Sequence, residues 1–256
     1  MSSNASVNQH NIRLVLEYDG TFFKGWQIQP NQRTVQGELE ARLGRLFNQP
    51  VRVIGSGRTD TGVHALGQVA NFHTSKSMPP DRLQNALNAM LPPDIVIRQA
   101  QEVSEKFHAR FDAKCREYIY QIGYRKRAIG REYAWWIRSP LDLSAMQQAA
   151  SMLIGYRDFT SFCVAAKEKE DRRCQVFCCD WHAKKDGVSF SIQANRFLRA
   201  MVRSIVGTLV DIGRGARAPD AIAAIIEARD RRCAGASAPP QGLFLKQVIY
   251  AGLPGG

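Results

Sequence analysis

Apolar and polar residues alternate over positions 12–18, with Ile12, Leu14, Leu16 and Tyr18 on one side and Arg13, Val15 and Glu17 on the other. That period of two predicts a half-buried strand. A helix is expected over 35–47, where Leu39, Leu43 and Leu46 recur at helical spacing. Residues 51–55 read as a strand running into a stretch of small and polar residues, 55–62, and 67–73 as another strand after it. Pro79 and Pro80 introduce a helix with Leu83, Leu87 and Leu91 in register; Pro92 and Pro93 close it, and 95–100 is the next strand.

The second half begins near Phe107. Residues 117–124 alternate, placing Tyr118, Tyr120 and Ile122 against Ile119 and Gln121. Helices are expected over 141–153, 198–212 and 219–229, and strands over 176–182, 188–193 and 242–250. Both halves thus follow a strand, helix, strand, strand, helix, strand rhythm, without a repeat visible at the level of residues. The expected organisation is a polar tail, 1–11, then an N-terminal subdomain, 12–106, and a C-terminal subdomain, 107–256. The fold class is α+β, a pair of similar ferredoxin-like (RRM-like) subdomains joined through a mixed, mostly antiparallel sheet with flanking helices.

Composition changes this picture in one respect. With 256 residues, 45% hydrophobic and 23% charged, the chain is long enough to bury a core and has the make-up of a globular protein. Lys and Arg number 35 against 23 Asp and Glu, a formal charge of +12. Of the basic residues 25 are Arg and 10 Lys. Arginine binds phosphate in a bidentate fashion and stacks on bases, so the excess points to a structured nucleic acid, although a codon bias toward Arg would produce the same imbalance. No 18-residue apolar run occurs and the N-terminus is polar, so neither a membrane span nor a secretory signal is expected and the location is cytoplasmic.

Six cysteines without a secretory signal should be reduced thiols. Cys174, Cys178 and Cys179 crowd together, but the paired C-x-x-C of a zinc ribbon and the H-x-E with P-C-x-x-C of zinc deaminases are both lacking. Small buried thiols on a strand are the expectation, and no metal is assigned. The densest cluster of small and polar residues is Gly55-Ser-Gly-Arg-Thr-Asp-Thr-Gly-Val-His-Ala65. Its glycines let the backbone turn sharply, while Arg58, Asp60 and His64 supply a cation, a carboxylate and a base. As composition alone, Asp60 reads equally as a turn cap, and His64 lacks a nucleophile with which to form a triad.

The run GRTDTGVHA resembles the signature of the tRNA pseudouridine synthase A family, G-R-T-D-x-G-V-H-A. Three further blocks follow in that family's order: FHARFDAKCREYIYQI, ANRFLRAMVRSIVGTLVDIGRG and QGLFLKQVIY. Together they span residues 55–250. The resemblance implies the pseudouridine synthase fold, no cofactor, and isomerisation of tRNA uridines 38, 39 and 40 in the anticodon arm, by a symmetric homodimer gripping one tRNA. Such a reaction breaks the N1 glycosidic bond, turns the uracil and rejoins C5 to the ribose, so nothing is oxidised and no group leaves.

Residue by residue, the resemblance places the carboxylate that attacks C6 or C1′ on Asp60. It makes Arg203, in the M-V-R block, the cation beside that carboxylate; on a helical wheel Arg196, Arg199 and Arg203 share one stripe. Tyr118 is implied to stack on the flipped uracil and move a proton at C5, with Tyr120 its competitor on the same face. Leu245 is implied to pack under the base, and Arg58 to fill the vacated place in the RNA stack or hold a phosphate. Arg110, Arg116, Lys114, Arg125, Lys126, Arg127 and Arg131 are candidates for backbone phosphates. In one place the chain departs from the family pattern: Arg157 stands where His is common before Asp158-Phe159. A non-catalytic RNA-binding protein would share the charge and the rhythm, and a nucleoside or glycoside hydrolase would want a second acid that Glu38, Glu40 and Asp112 do not supply in any motif.

Overall fold

The computed structural model describes residues 9–164 and 171–252. The first eight residues of the expected tail lie outside it, and His10 and Asn11 already belong to the first strand. By contact density the described chain forms two compact units, one running to Ala113 and taking up the chain again from Gln247, the other covering Lys114–Lys246.

The first unit follows β1 (His10–Tyr18), α1 (Val35–Phe47), β2 (Ile54–Gly55), β3 (His64–Thr74), α2 (Pro80–Met90) and β4 (Ile95–Val103). β1 pairs antiparallel with β3 on one side and β4 on the other, Leu14 lying opposite Ala70 and Ala100. β1 is therefore an inner strand, and the expected half-burial is exceeded: Arg13 and Val15, assigned to the polar side, are as buried as Leu14 and Leu16. The Arg13 guanidinium reaches the Gln101 side chain and lies 5.8 Å from the Tyr250 ring, so the second face is covered as well. Alternation along one strand cannot show what covers its far side.

α1 takes its expected bounds because both ends are capped, by the Thr34 hydroxyl accepting from the Gly37 N–H and by Asn48 in the left-handed conformation. Leu39, Leu43, Leu83 and Leu87 of the two helices are fully buried. The expected strand over 51–55 shrinks to Ile54–Gly55, since the Val53 N–H donates to the Glu40 carboxylate rather than to a neighbouring strand.

The second unit comprises β5 (Ala113–Gly123), β6 (Trp135–Trp136), α3 (Leu143–Ser151), β7 (Gly155–Asp158), β8 (Arg173–Lys184), β9 (Gly187–Ala194), α4 (Met201–Gly213) and α5 (Ala221–Ala228). Its sheet runs β5-β9-β8-β7 with antiparallel neighbours; β6 adds a short parallel pair to β5. The closing strand β10 (Leu243–Tyr250) carries the boundary between the units. A mostly antiparallel sheet with flanking helices bears out the α+β expectation. No helix among the described residues is long and apolar enough to cross a membrane.

The expected helix over 198–212 starts late. Ala200 sits at φ 59, outside helical space, so α4 begins at Met201. Arg196 and Arg199 precede it, and the stripe of three arginines drawn on a helical wheel does not exist; Arg203 alone is on the helix.

Candidate active site

The loop between β2 and β3 varies in depth with a period of three: Ser56 and Thr59 are buried, Gly57 and Asp60 half-buried, Arg58 and Thr61 exposed. That repeat gives a short irregular loop a defined top and bottom. The segment Tyr18–Trp26 grips it from one side: the Trp26 N–H donates to the Thr59 carbonyl at 3.1 Å and the Gly62 N–H to the Phe23 carbonyl at 3.4 Å. Within the loop, Val63 N–H closes a turn on the Asp60 carbonyl at 3.2 Å. Gly25 makes this approach possible. Its φ is +85, and a Cβ there would stand 2.6 Å from the Thr59 carbonyl oxygen.

Beneath the loop lies a buried polar layer. The Tyr18 hydroxyl meets the Thr59 hydroxyl at 2.8 Å, the Ser56 hydroxyl donates to Gln68 Oε1 at 2.6 Å, and Gln68 Nε2 donates to the Gly57 carbonyl at 3.2 Å. Burial pushes the Tyr18 phenol up to about 12, against hydrogen bonds from Thr59 and Gln68 that pull it the other way. It therefore stays protonated. His64 closes the loop as a buried anchor: its Nδ1 accepts the Gly20 N–H at 3.0 Å. The Asp19 carboxylate lies 3.1 Å from the same nitrogen. Asp19 also caps the turn Gly20–Phe22 through Thr21.

Arg110 is exposed on a turn built by its neighbours. His108 Nδ1 accepts the Arg110 and Phe111 N–H groups, and Asp112 accepts the His108 N–H. The chain leading to it is tied down by Asn11, which donates to the Ser104 and Phe107 carbonyls, and by Asn71, which accepts from the Ala109 N–H. The Arg110 guanidinium lies 5.6 Å from the exposed Phe111 ring.

In the second unit, Tyr118 and Tyr120 point to the same side of β5, opposite Ile192 and Phe190 of β9. The Tyr118 ring meets Phe197 edge-on at 5.1 Å. Tyr120 is fully enclosed and donates its hydroxyl to the Pro239 carbonyl at 2.7 Å. Burial raises its pKa well above the usual phenol range. Arg203, half-buried on α4, donates Nε to the Ala238 carbonyl at 2.8 Å, while its own carbonyl accepts the Ala238 N–H at 2.9 Å. Leu245 is buried on β10.

The arginines expected on the surface divide. Arg116 is 9% exposed and donates to the Asn195 carbonyl at 2.6 Å, so it braces the turn ahead of α4. Lys114, Arg125, Lys126, Arg127 and Arg131 are exposed. Arg125 and Arg127 share Asp186, Arg131 pairs with Glu132, and Lys126 lies over the Trp136 ring. Surface pairs of this kind contribute little, about 0 to 1 kcal/mol each, and exchange readily for a phosphate. All six cysteines are free thiols; Cys178 and Cys179 fall on opposite faces of β8, and no group of metal-binding side chains occurs among the described residues.

Tyr18, Trp26, Gln68 and Gly25 carry much of this geometry and escaped the sequence reading. Gly20 and Gly25 flanking an aromatic run were the available signal.

The family described as tRNA pseudouridine synthase matches the chain twice, over residues 14–112 and 149–251. A protein named tRNA pseudouridine synthase A from Brevibacillus brevis is 48% identical over 241 residues, 93% of this chain and 99% of its own length. Proteins of the same name from Geobacillus sp. and Exiguobacterium sp. are 47% and 46% identical, each over 93% of this chain and 98% and 97% of their own.

Proposed function

The chain belongs to the tRNA pseudouridine synthase family, and from that premise we propose that it isomerises uridines 38, 39 and 40 in the anticodon stem-loop of tRNA with Asp60 as nucleophile. The observation that carries the reading is the construction of the loop. Thr59 is pinned by side chain and carbonyl, while Asp60, the next residue, stays half-buried on a closed turn with Arg58 exposed beside it. A carboxylate held this way presents a fixed nucleophile without losing access to substrate.

The chemistry needs few groups. Asp60 attacks C6 of the uracil or C1′ of the ribose and the N1–C1′ bond breaks. The uracil turns while bound, C5 bonds to C1′, Asp60 is released, and the C5 proton passes to a base as N1 gains one. Tyr118 stacks on the uracil and moves the proton at C5; Arg203 supplies the positive charge that favours the ionised carboxylate. Leu245 packs under the base. Arg58 fills the place of the flipped nucleotide or holds its phosphate, and Arg110 with Lys114 and the 125–131 run contacts the backbone. Arg116 contributes by holding the Asn195 turn. The enzyme works in the cytoplasm as a homodimer on one tRNA, a state that light scattering of the tRNA complex checks.

The deciding experiment incubates the purified protein with a tRNA transcript and maps pseudouridine by chemical adduct and primer extension. Pseudouridine at 38–40 with no free uracil is the expected result. Binding without conversion would leave an RNA-binding protein, and release of free base a hydrolase.

A further inference from the structure

Four buried polar side chains at the Asp60 loop pair by hydrogen bonds, Tyr18 with Thr59 and Gln68 with Ser56. Gln68 stands on β3 with no exposure to solvent. Its Oε1 accepts from the Ser56 hydroxyl and the Val69 N–H, and one Nε2 hydrogen goes to the Gly57 carbonyl. The Tyr18 hydroxyl hydrogen-bonds the Thr59 hydroxyl at 2.8 Å. These bonds grip the loop at Ser56, Gly57 and Thr59. Arg58, before Thr59, is exposed, and Asp60, after it, is half-buried.

We propose that Tyr18 is a positioning residue for the isomerisation, setting the orientation of Asp60 through the Tyr18–Thr59 hydrogen bond. The inference rests on Asp60 being the nucleophile. Its physical basis is that Thr59 has two fixed points, its hydroxyl on Tyr18 and its carbonyl on the Trp26 N–H. Together they fix the peptide plane that carries Asp60. Without the first, the plane turns about the second. Displacements of about 1 Å at a reacting group cost on the order of 10²-fold in rate. The Tyr18 ring packs beside Trp26 at 6.2 Å, a contact that Phe retains, so the hydroxyl can be removed alone.

The test compares Tyr18→Phe, Thr59→Val, Thr59→Ser and the Tyr18→Phe/Thr59→Val double variant in single-turnover and steady-state assays on tRNA, well below the melting temperature of each. Tyr18→Phe and Thr59→Val are expected to lower kcat by ~10- to 100-fold with KM and tRNA affinity within about threefold. Thr59→Ser, which keeps the hydroxyl, should recover to within about threefold of wild type. The double variant should be no slower than the slower single one, because both remove the same bond. Wild-type kcat in Tyr18→Phe, additive losses in the double variant, or a change confined to melting temperature would each overturn the proposal. Asp60→Asn is run alongside. If it turns over normally, the assignment of the nucleophile has failed; if it is inactive while Tyr18→Phe is unimpaired, only the positioning role has.

Discussion

Tyr118 and Tyr120 face the same side of one strand, two residues apart, and both are buried, but the contacts of the two rings differ: Tyr118 meets Phe197 edge-on. The Tyr120 hydroxyl is already committed to the Pro239 carbonyl in a closed interior. Tyr120→Phe is therefore expected to destabilise the protein by about 1 to 3 kcal/mol, the cost of an orphaned buried acceptor, with turnover of the folded enzyme retained; urea denaturation measures it. Tyr118→Phe should do the opposite. Stacking belongs to the ring and persists, whereas loss of the hydroxyl should slow turnover by ~10²-fold. Equal rates for Tyr118→Phe and wild type would remove the proton-transfer role. Asp60→Asn should leave less than about 1% of turnover with tRNA affinity within a few-fold, as one carboxylate is lost among many phosphate contacts. At this scale the motif around Asp60 was legible, because its residue types are contiguous. The preference for Tyr118 over Tyr120 came from the family resemblance, since alternation puts both on one face; that the Tyr120 hydroxyl is taken by the Pro239 carbonyl was not legible, because Pro239 lies 119 residues away in the chain.

Among the elements, α4 shows both the strength and the limit of periodicity. Its apolar arc, Met201, Val202, Ile205 and Leu209, is buried as spacing implies. Its start is set by the left-handed backbone at Ala200, which no apolar spacing signals. Gly207 lies against the Ala236 carbonyl so closely that a Cβ has no room. Gly207→Ala should therefore cost about 1 to 3 kcal/mol in spite of alanine's better helix propensity, read by thermal or urea unfolding. β8 makes a second testable case. Burial pushes the Cys174 and Cys179 thiols up to about 12, and raises Cys115 to about 11. A raised pKa means less thiolate at a given pH, so at pH 8 these three should resist alkylation until the protein unfolds, while half-exposed Cys233 labels first. Mass spectrometry of the labelled native protein decides, and uniform labelling would contradict the packing of β8. The crowding of cysteines was visible in the chain; their separation to opposite faces required the strand.

For the whole molecule the excess charge is the dominant fact. Binding to tRNA should weaken with salt at a slope of roughly −0.7 to −0.9 per phosphate neutralised, and a slope near zero would separate the +12 charge from tRNA binding. Charge, the α and β alternation and the Asp60 signature were all determined by the sequence alone, because each is written in residues close together along the chain. Tertiary structure decided the rest. It covered the polar side of β1 and buried Arg13, turned Arg116 inward onto Asn195, and set Tyr18 and Gln68 beneath a loop some forty and ten residues away in the chain. The reason is that a periodic pattern records which face of an element avoids water, whereas the partner of a buried hydroxyl, amide or guanidinium is supplied by another element, and its identity exists only once the elements have packed.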